Sequence, residues 1–366
     1  MTTILKPEVI WIEGRCYRVN DPTTEITALQ EHDLYENDIT YNSNYELDEG
    51  DKDDFEVVMV DNTRYKTSLH VSKHYLGSII GKKGSIKSRI ERDTKTDIKI
   101  PRQGQEGDIT ILGPTVANVK AAKRRINIIV ISSRMKQKST HFLSIPMNNT
   151  DIMQRFEEFK AAVLRDCAGS RGLDETLFIK ANKLHLTLGV MCLMDNEERL
   201  IASKLLTEAK DTVVAPLLQG HSPLRVRLKG LSYMNDDPSQ IDVLYGTVEE
   251  ENAKGIIQQL ADGLVEHFYK AGYMDREHGR DSVKLHVTLI NSKYRKHVPT
   301  ATVEDSGSSR HSRRPRETFD GTQVLKKFSD YDFGVMELKD IHLSQRHSMG
   351  PDGYYQPTCV IASITS

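Results

Sequence analysis

Two short segments pair histidine with threonine at a spacing that can do acid–base chemistry. Lys183-Leu184-His185-Leu186-Thr187-Leu188 recurs 101 residues later as Lys284-Leu285-His286-Val287-Thr288-Leu289, with five of six positions identical. In a strand, successive side chains alternate between faces, so each His projects with its Thr while the aliphatic residues line the back. Burying such a back requires leucines but places no demand for His and Thr at both sites. One His-x-Thr is commonplace, as His342-Leu343-Ser344 illustrates; lacking the Lys-Leu lead and a second copy, it is read as structural. The duplicated pair is read as functional.

Histidine exchanges protons near neutral pH more readily than any other side chain. One neutral imidazole can take a proton from a water or a ribose 2′-hydroxyl while a protonated second one donates to the leaving oxygen. Thr187 and Thr288 can each donate a hydrogen bond to a non-bridging phosphate oxygen, where charge accumulates. This is phosphoryl transfer with no metal and no cofactor. The sequence holds neither a Walker loop nor a carboxylate metal pattern. Cys16, Cys167, Cys192 and Cys359 stand far apart, away from any zinc-type His/Cys grouping, and read as reduced thiols.

A second constellation, Gly81-Lys82-Lys83-Gly84, follows Ile79-Ile80. Glycines let a backbone approach a phosphodiester chain, lysines neutralise it, and the next helix start offers N–H groups. The surrounding pattern is a strand (65–71), a helix (72–80), the Gly81–Gly84 loop, a helix (85–94), strands at 96–101 and 108–112, and a long helix from Pro114 to about Arg134.

Positioning the two His-x-Thr strands requires a larger sheet. Helices are expected over 151–167 and 251–269, one ahead of each copy. Strands are expected at 142–146, 224–233, 242–248, 334–342 and 354–364, giving two similar lobes that bring the motifs together across a cleft.

Charge divides the chain the same way. The 366 residues carry 50 Lys/Arg and 52 Asp/Glu. Residues 1–56 hold 4 basic against 15 acidic residues, and residues 57–138 hold 18 against 6. An arm at 1–56, with a hairpin-like Val9–Val19 and an acidic linker, thus precedes a basic module at 57–138 and a near-neutral domain at 139–366. A low-complexity basic loop lies near 300–317. No stretch is long and apolar enough for a membrane span, and the start of the chain has no secretory pattern, so an intracellular protein that engages no membrane is expected.

The basic module resembles a KH domain, whose GXXG loop clamps about four nucleotides of single-stranded nucleic acid. Lys87 departs from the pattern, since KH domains usually place an apolar residue there. The His-x-Thr pair resembles the 2H phosphoesterase superfamily, named for two such motifs on pseudo-symmetric α+β lobes. Its members process 2′,3′-cyclic phosphates, 2′,5′ linkages or RNA 3′ ends. The implied fold is α+β, an N-terminal β-α-α-β-β-α KH domain followed by a two-lobed 2H domain. The implied sites are His185, Thr187, His286 and Thr288 for catalysis and Gly81, Lys82, Lys83 and Gly84 for nucleic acid.

The combination of the two domains, with Tyr233-Met234-Asn235-Asp236-Asp237-Pro238, Phe319-Asp320-Gly321 and Ile341-His342-Leu343-Ser344-Gln345-Arg346, is similar to a narrower family of KH–2H proteins. That resemblance implies a subunit of a nuclear, helicase-containing complex associated with transcription coactivation, alkylation-damage repair and RNA surveillance. Its partners would be single-stranded RNA, with single-stranded DNA as the alternative, and the other subunits, the helicase included. Two readings stay open, a KH-guided phosphoesterase and a non-catalytic adaptor that organises the complex.

Overall fold

The computed structural model describes residues 57–60, 63–102, 105, 107–221, 223–275, 282–295 and 317–362, together with the backbone of two short strands in the N-terminal arm. Those strands, β1 (Val9–Ile12) and β2 (Arg15–Arg18), pair antiparallel in the register Val9 to Arg18, as the hairpin-like pattern suggests. The acidic stretch 31–56 and the basic segment Ser306–Arg316 lie outside the described residues. The chain forms two compact units, 1–69 with 78–104 and 109–132, and 70–77 with 105–108 and 133–366.

The basic module folds as β3 (Val58–Val60), β4 (Arg64–Leu69), α1 (Lys73–Ile80), α2 (Ser85–Thr94), β5 (Asp97–Lys99), β6 (Ile109–Gly113) and α3 (Val116–Met135). The antiparallel sheet runs β3-β4-β6-β5. Ile98, Ile109 and Ile111 are buried, as their alternation with polar neighbours requires. Strand β3 was not expected from the sequence; Val58 and Met59 are both more than half exposed, so the segment buries too little to give a pattern.

The large domain contains β7 (His141–Pro146), α4 (Thr150–Asp166), β8 (His185–Met191), α5 (Asn196–Ala209), the one-turn α6 (Ala215–Leu218), β9 (Arg225–Tyr233), β10 (Val243–Glu250) and α7 (Ile256–Lys270). Strand β11 (Val287–Asn291), helix α8 (Thr322–Phe328) and strands β12 (Asp332–Glu337), β13 (Asp340–Met349) and β14 (Tyr355–Ala362) complete it. Eight strands form one antiparallel sheet in the order β12-β9-β10-β11-β8-β7-β13-β14. The two His-x-Thr strands, β8 and β11, are its central neighbours, and the remaining strands fan out symmetrically, three on each side.

Helix α4 buries Ile152, Phe156, Phe159 and Val163, spaced at three and four residues, and packs on β12. Helix α7 buries Ile257, Leu260, Leu264 and Phe268 and packs on β8. Each helix therefore covers the half of the sheet opposite to the motif it precedes, and one continuous apolar core lies beneath both motifs.

Two expectations need correction. The strand expected over 334–342 is two strands at different places in the sheet, β12 beside β9 and β13 beside β7. The chain leaves one lobe at Leu338, whose N–H donates to Leu224 O, and enters the other at Asp340. The crossing leaves one mark in the sequence, polar Lys339 and Asp340 where the apolar spacing lengthens from two residues (Met336 to Leu338) to three (Leu338 to Ile341). Helix α5 was also missed, although Asp195 caps it by accepting from Glu198 N at 2.9 Å, a cap–Glu spacing visible in the sequence.

Candidate active site and nucleic-acid loop

The motif strands alternate as their composition demands. Leu184, Leu186 and Leu188 are at most 2% exposed, whereas His185 and Thr187 are half-buried on the other face. Val287 and Leu289 are likewise buried beneath half-buried His286 and Thr288. Strands β8 and β11 pair through Leu186 and Val287. In antiparallel register, His185 then stands opposite Thr288 and Thr187 opposite His286, all four on one face. The structure thus assembles the four residues around a pseudo-two-fold axis at the seam between neighbouring strands.

The outer strands repeat this symmetry. Ser144 on β7 pairs with Thr187, and Tyr245 on β10 pairs with Thr288. A register shift falls just before each of these positions, between Leu143 and Ser144 and between Leu244 and Tyr245. Bulges re-aim side chains and sharpen twist, and these two sit beside the two threonines.

Both imidazoles are fixed in the same way. Nδ1 of His185 lies 2.7 Å from Lys183 O, and Nδ1 of His286 lies 2.7 Å from Lys284 O. A carbonyl only accepts, so each Nδ1 carries the hydrogen and donates it, and Nε2 becomes the nitrogen directed away from the backbone.

The surroundings of the two histidines differ. His185 is ringed by Phe142 at 5.1 Å, Tyr355 at 5.4 Å and Tyr354 at 6.4 Å between ring centroids. His286 meets Tyr245 at 5.3 Å. Burial pushes the His185 pKa down to about 4; the Lys183 carbonyl opposes that shift and the nearby His286 adds to it. His185 is therefore neutral at neutral pH.

A cavity of about 820 Å³ opens beside the seam, with Thr187, Gly189, Asp262, Tyr273, Lys284 and His286 in its lining. His185 and Thr288 are not part of that lining. Gly189 lets the chain following α7 approach, since a Cβ there would sit 2.8 Å from Met274 Sδ.

Several site residues carried no sequence signal of their own. Asp262 Oδ1 accepts from Val283 N at 2.7 Å, and Gln258 Nε2 donates to Val283 O at 2.9 Å. One turn of α7 thereby clamps both backbone groups of the residue preceding the second motif. Tyr245 and Tyr355 lie on other strands, and only the completed sheet brings them to the histidines. Lys183 and Lys284 were visible as part of the repeat, though not as site residues. His342, read as structural, stands on β13 opposite Ser144 and so shares the face of Thr187; its ring lies 5.7 Å from Tyr354.

In the basic module, Gly81 (φ 70°) and Gly84 (φ 82°) both occupy the left-handed region, and between them Lys82–Gly84 form a 3-10 turn. A Cβ on Gly81 would lie 2.6 Å from Ile86 Cγ1, so the loop packs directly on the first turn of α2. Lys82 and Lys83 are exposed. The atypical Lys87 is accommodated by an ion pair to Glu91 at 2.7 Å, and the same Glu91 oxygen accepts from Ile98 N at 2.8 Å. Ile90 supplies the buried contact on that helix.

Residues 139–362 match the model of the AKAP7 2′5′ RNA ligase-like domain, and residues 66–128 match that of the KH domain. Activating signal cointegrator 1 complex subunit 1 of Mus musculus is 34% identical over 355 residues, covering 96% of this chain and 97% of the mouse protein. Among solved structures, the first KH type I domain of human vigilin is similar to 24% of this chain over 94% of its own length, with 23% identity and a TM-score of 0.21. Escherichia coli LigT complexed with NADP+ is similar to 62% of this chain over 98% of its own, with 13% identity and a TM-score of 0.33. The protein TT0787 of Thermus thermophilus covers 61% of this chain and 97% of its own, with 18% identity and a TM-score of 0.36.

Proposed function

The chain belongs to the family of activating signal cointegrator 1 complex subunit 1, with a KH domain followed by a 2′5′ RNA ligase-like domain, and from that premise we propose that it is a KH-guided phosphodiesterase acting on single-stranded RNA or its ends. The observation that carries this reading is the matched pair of Nδ1–H···O=C bonds at His185 and His286, which sets two imidazoles in the same tautomer on one face of a sheet seam.

His185, neutral because it is buried, is the base. It takes a proton from a water or a ribose 2′-hydroxyl as that oxygen bonds to phosphorus. His286 in its protonated form gives a proton to the departing oxygen as the P–O bond breaks. The two proton transfers balance, and exchange with solvent restores both imidazoles. Thr187 and Thr288 donate to the non-bridging oxygens. Gly81, Lys82, Lys83 and Gly84 hold the strand by its backbone.

We infer a cellular setting in keeping with the family, a nuclear subunit of a coactivator and alkylation-repair complex bound to its other subunits and helicase; the name of the mouse relative supports the complex-subunit part of it. A second reading, a non-catalytic RNA-binding adaptor, draws on the likeness of nearly the whole chain to a protein named as a complex subunit. Incubating the full chain with short end-labelled RNAs of defined 3′ ends, with EDTA present, separates the two. Cleavage by the parent and none by His185→Ala or His286→Ala is expected; cleavage that survives both substitutions, or no cleavage by the parent, favours the adaptor.

A further inference from the structure

The proton-transfer scheme leaves one repeated feature unused. Both motif copies open with lysine, two residues ahead of the histidine. The carbonyl of that residue orients the imidazole, a task any residue type performs, so the lysine side chain has no part in it. Because β8 and β11 run antiparallel about the Leu186–Val287 pair, Lys183 and Lys284 fall at opposite ends of the diad. Both stand just outside the strands, Lys183 two residues before the start of β8 and Lys284 three before that of β11.

Each lysine is held in the same manner. Lys183 Nζ lies 5.3 Å from the centroid of the Tyr355 ring, and Lys284 Nζ lies 4.9 Å from that of Tyr245. These are the same rings that abut His185 and His286, so each half of the site is a unit of histidine, tyrosine and lysine. Lys284 Nζ also touches Met234 Sδ at 3.6 Å. Among the described residues, the carboxylate ion pairs include neither ammonium. A ring face orients a cation without neutralising it. Burial and the neighbouring Lys180 both lower the Lys183 pKa, as expected for a cation short of water and of counter-charge.

We propose that Lys183 and Lys284 are two anion subsites flanking the reacting phosphate, so that the cleft takes a linear single strand with a further phosphate on either side in preference to a cyclic or terminal phosphate. This inference rests on the reading that the histidine pair faces a phosphodiester. A cyclic mononucleotide presents one anionic group and reaches the centre of the site alone. A linear strand presents three in a row, one for the diad and one for each lysine. Lysine suits this task because it meets phosphate as a point charge on a flexible stem and reads no base.

The test uses the full chain and follows the His185 imidazole resonance by NMR, which reports on the cleft whether or not the KH loop is also occupied. The ligands are a 2′,3′-cyclic mononucleotide and an all-2′-deoxy tetranucleotide, in which 2′-hydroxyl attack is removed, and spectra are taken before hydrolysis by water is detectable for either one. Two further tetranucleotides carry an uncharged methylphosphonate at one neighbouring linkage or the other. Lys183→Met and Lys284→Met are each expected to weaken the charged tetranucleotide about tenfold, one charge-assisted contact, and to leave the cyclic nucleotide within twofold. Each loss should vanish against one of the two methylphosphonates, a different one for each lysine. Lys183→Arg and Lys284→Arg keep the charge and should bind within a few-fold of the parent.

Equal weakening of cyclic and linear ligands, indifference to the methylphosphonates, or failure of every ligand to move the resonance would overturn the inference. If the pattern appears but the corresponding all-ribose strand is never cleaved, the subsites stand and the phosphodiesterase reading fails.

Discussion

Lowering the pH tests the assignment of His185 most directly, because it predicts an imidazole that stays neutral where an ordinary one would not. Its pKa sits near 4 instead of 6.5, chiefly because Phe142, Tyr354 and Tyr355 exclude water from the ring. At pH 5 such a group is about nine-tenths neutral, whereas an unperturbed histidine is about 3% neutral, so the two cases differ about thirtyfold in available base. The acid limb of kcat/KM on a phosphodiester should therefore fall near pH 4, and the His185 resonance should titrate there. Stability carries the same signature. The folded state binds fewer protons than the unfolded chain between about pH 6.5 and 4, so stability is complete above 6.5 and declines as pH falls through that window. The full shift corresponds to somewhat over 3 kcal/mol, and the partial exposure of the ring brings this to on the order of 2 to 3 kcal/mol. His141, also held near 4 by burial and by Arg199, contributes over the same range. Comparing urea unfolding of the parent with His185→Gln isolates the His185 share. A His185 resonance that titrates near 6.5, or an acid limb that does so, would refute the assignment of the base.

Replacing Lys82 and Lys83 by Asp should weaken single-stranded RNA binding regardless of sequence and flatten log Kd against log salt by about 1.4, two phosphate contacts' worth on a single strand, checked by fluorescence anisotropy from low to moderate salt. Unchanged binding would make the KH module a protein-contact fold. The Asp262 and Gln258 clamp on Val283 positions the carbonyl that orients His286. Asp262→Ala should lower kcat about tenfold with little change in KM and shift the His286 Nδ1 signal, while Asp262→Asn, which keeps an acceptor, should restore most of both. Arg134 and Glu198 form a buried pair at 2.6 Å, each at most 6% exposed, with a second Arg134 bond to Gly272 O. Glu198→Gln strands the guanidinium and should cost about 3–5 kcal/mol in urea unfolding, whereas an apolar replacement of both partners should recover most of it.

The face that carries both motifs was legible because strand alternation is a two-residue rule that a hexapeptide can display twice. The same rule placed His185 with Thr187 and His286 with Thr288, while the meeting of the two copies was expected from the repeat of their flanks and not from alternation. The loop from Gly81 to Gly84 was legible for a related reason, since three positive φ angles in four residues, two of them at Gly81 and Gly84, favour glycine at fixed places. What escaped was whatever depends on a partner far away in the chain. Tyr355 reaches His185 only after β14 joins β13, and Asp262 reaches Val283 only after α7 packs on β8. The break at Leu338 escaped because both sides of it are strand.

Backbone symmetry alone would make a poor acid–base pair. Two imidazoles related by a pseudo-two-fold axis, with identical tautomers and identical carbonyl partners, would share one affinity for protons. Between their two macroscopic pKa values the pair would hold one proton, but shared equally between two orientations, of which general acid–base transfer in one direction uses only one. The surrounding residues remove that degeneracy. On one side Phe142, Tyr354 and Tyr355 crowd His185, and on the other Tyr245 faces His286, which lines the open cavity. The repeat thus supplies geometry in duplicate, and in the proposed mechanism unrepeated residues on β7 and at the start of β14 would set the direction of proton flow. It follows that opening the wall around His185, by Phe142→Ala, should raise the His185 pKa toward 6.5 and move the acid limb upward by a unit or more, with the tautomer unchanged because Lys183 O still holds Nδ1.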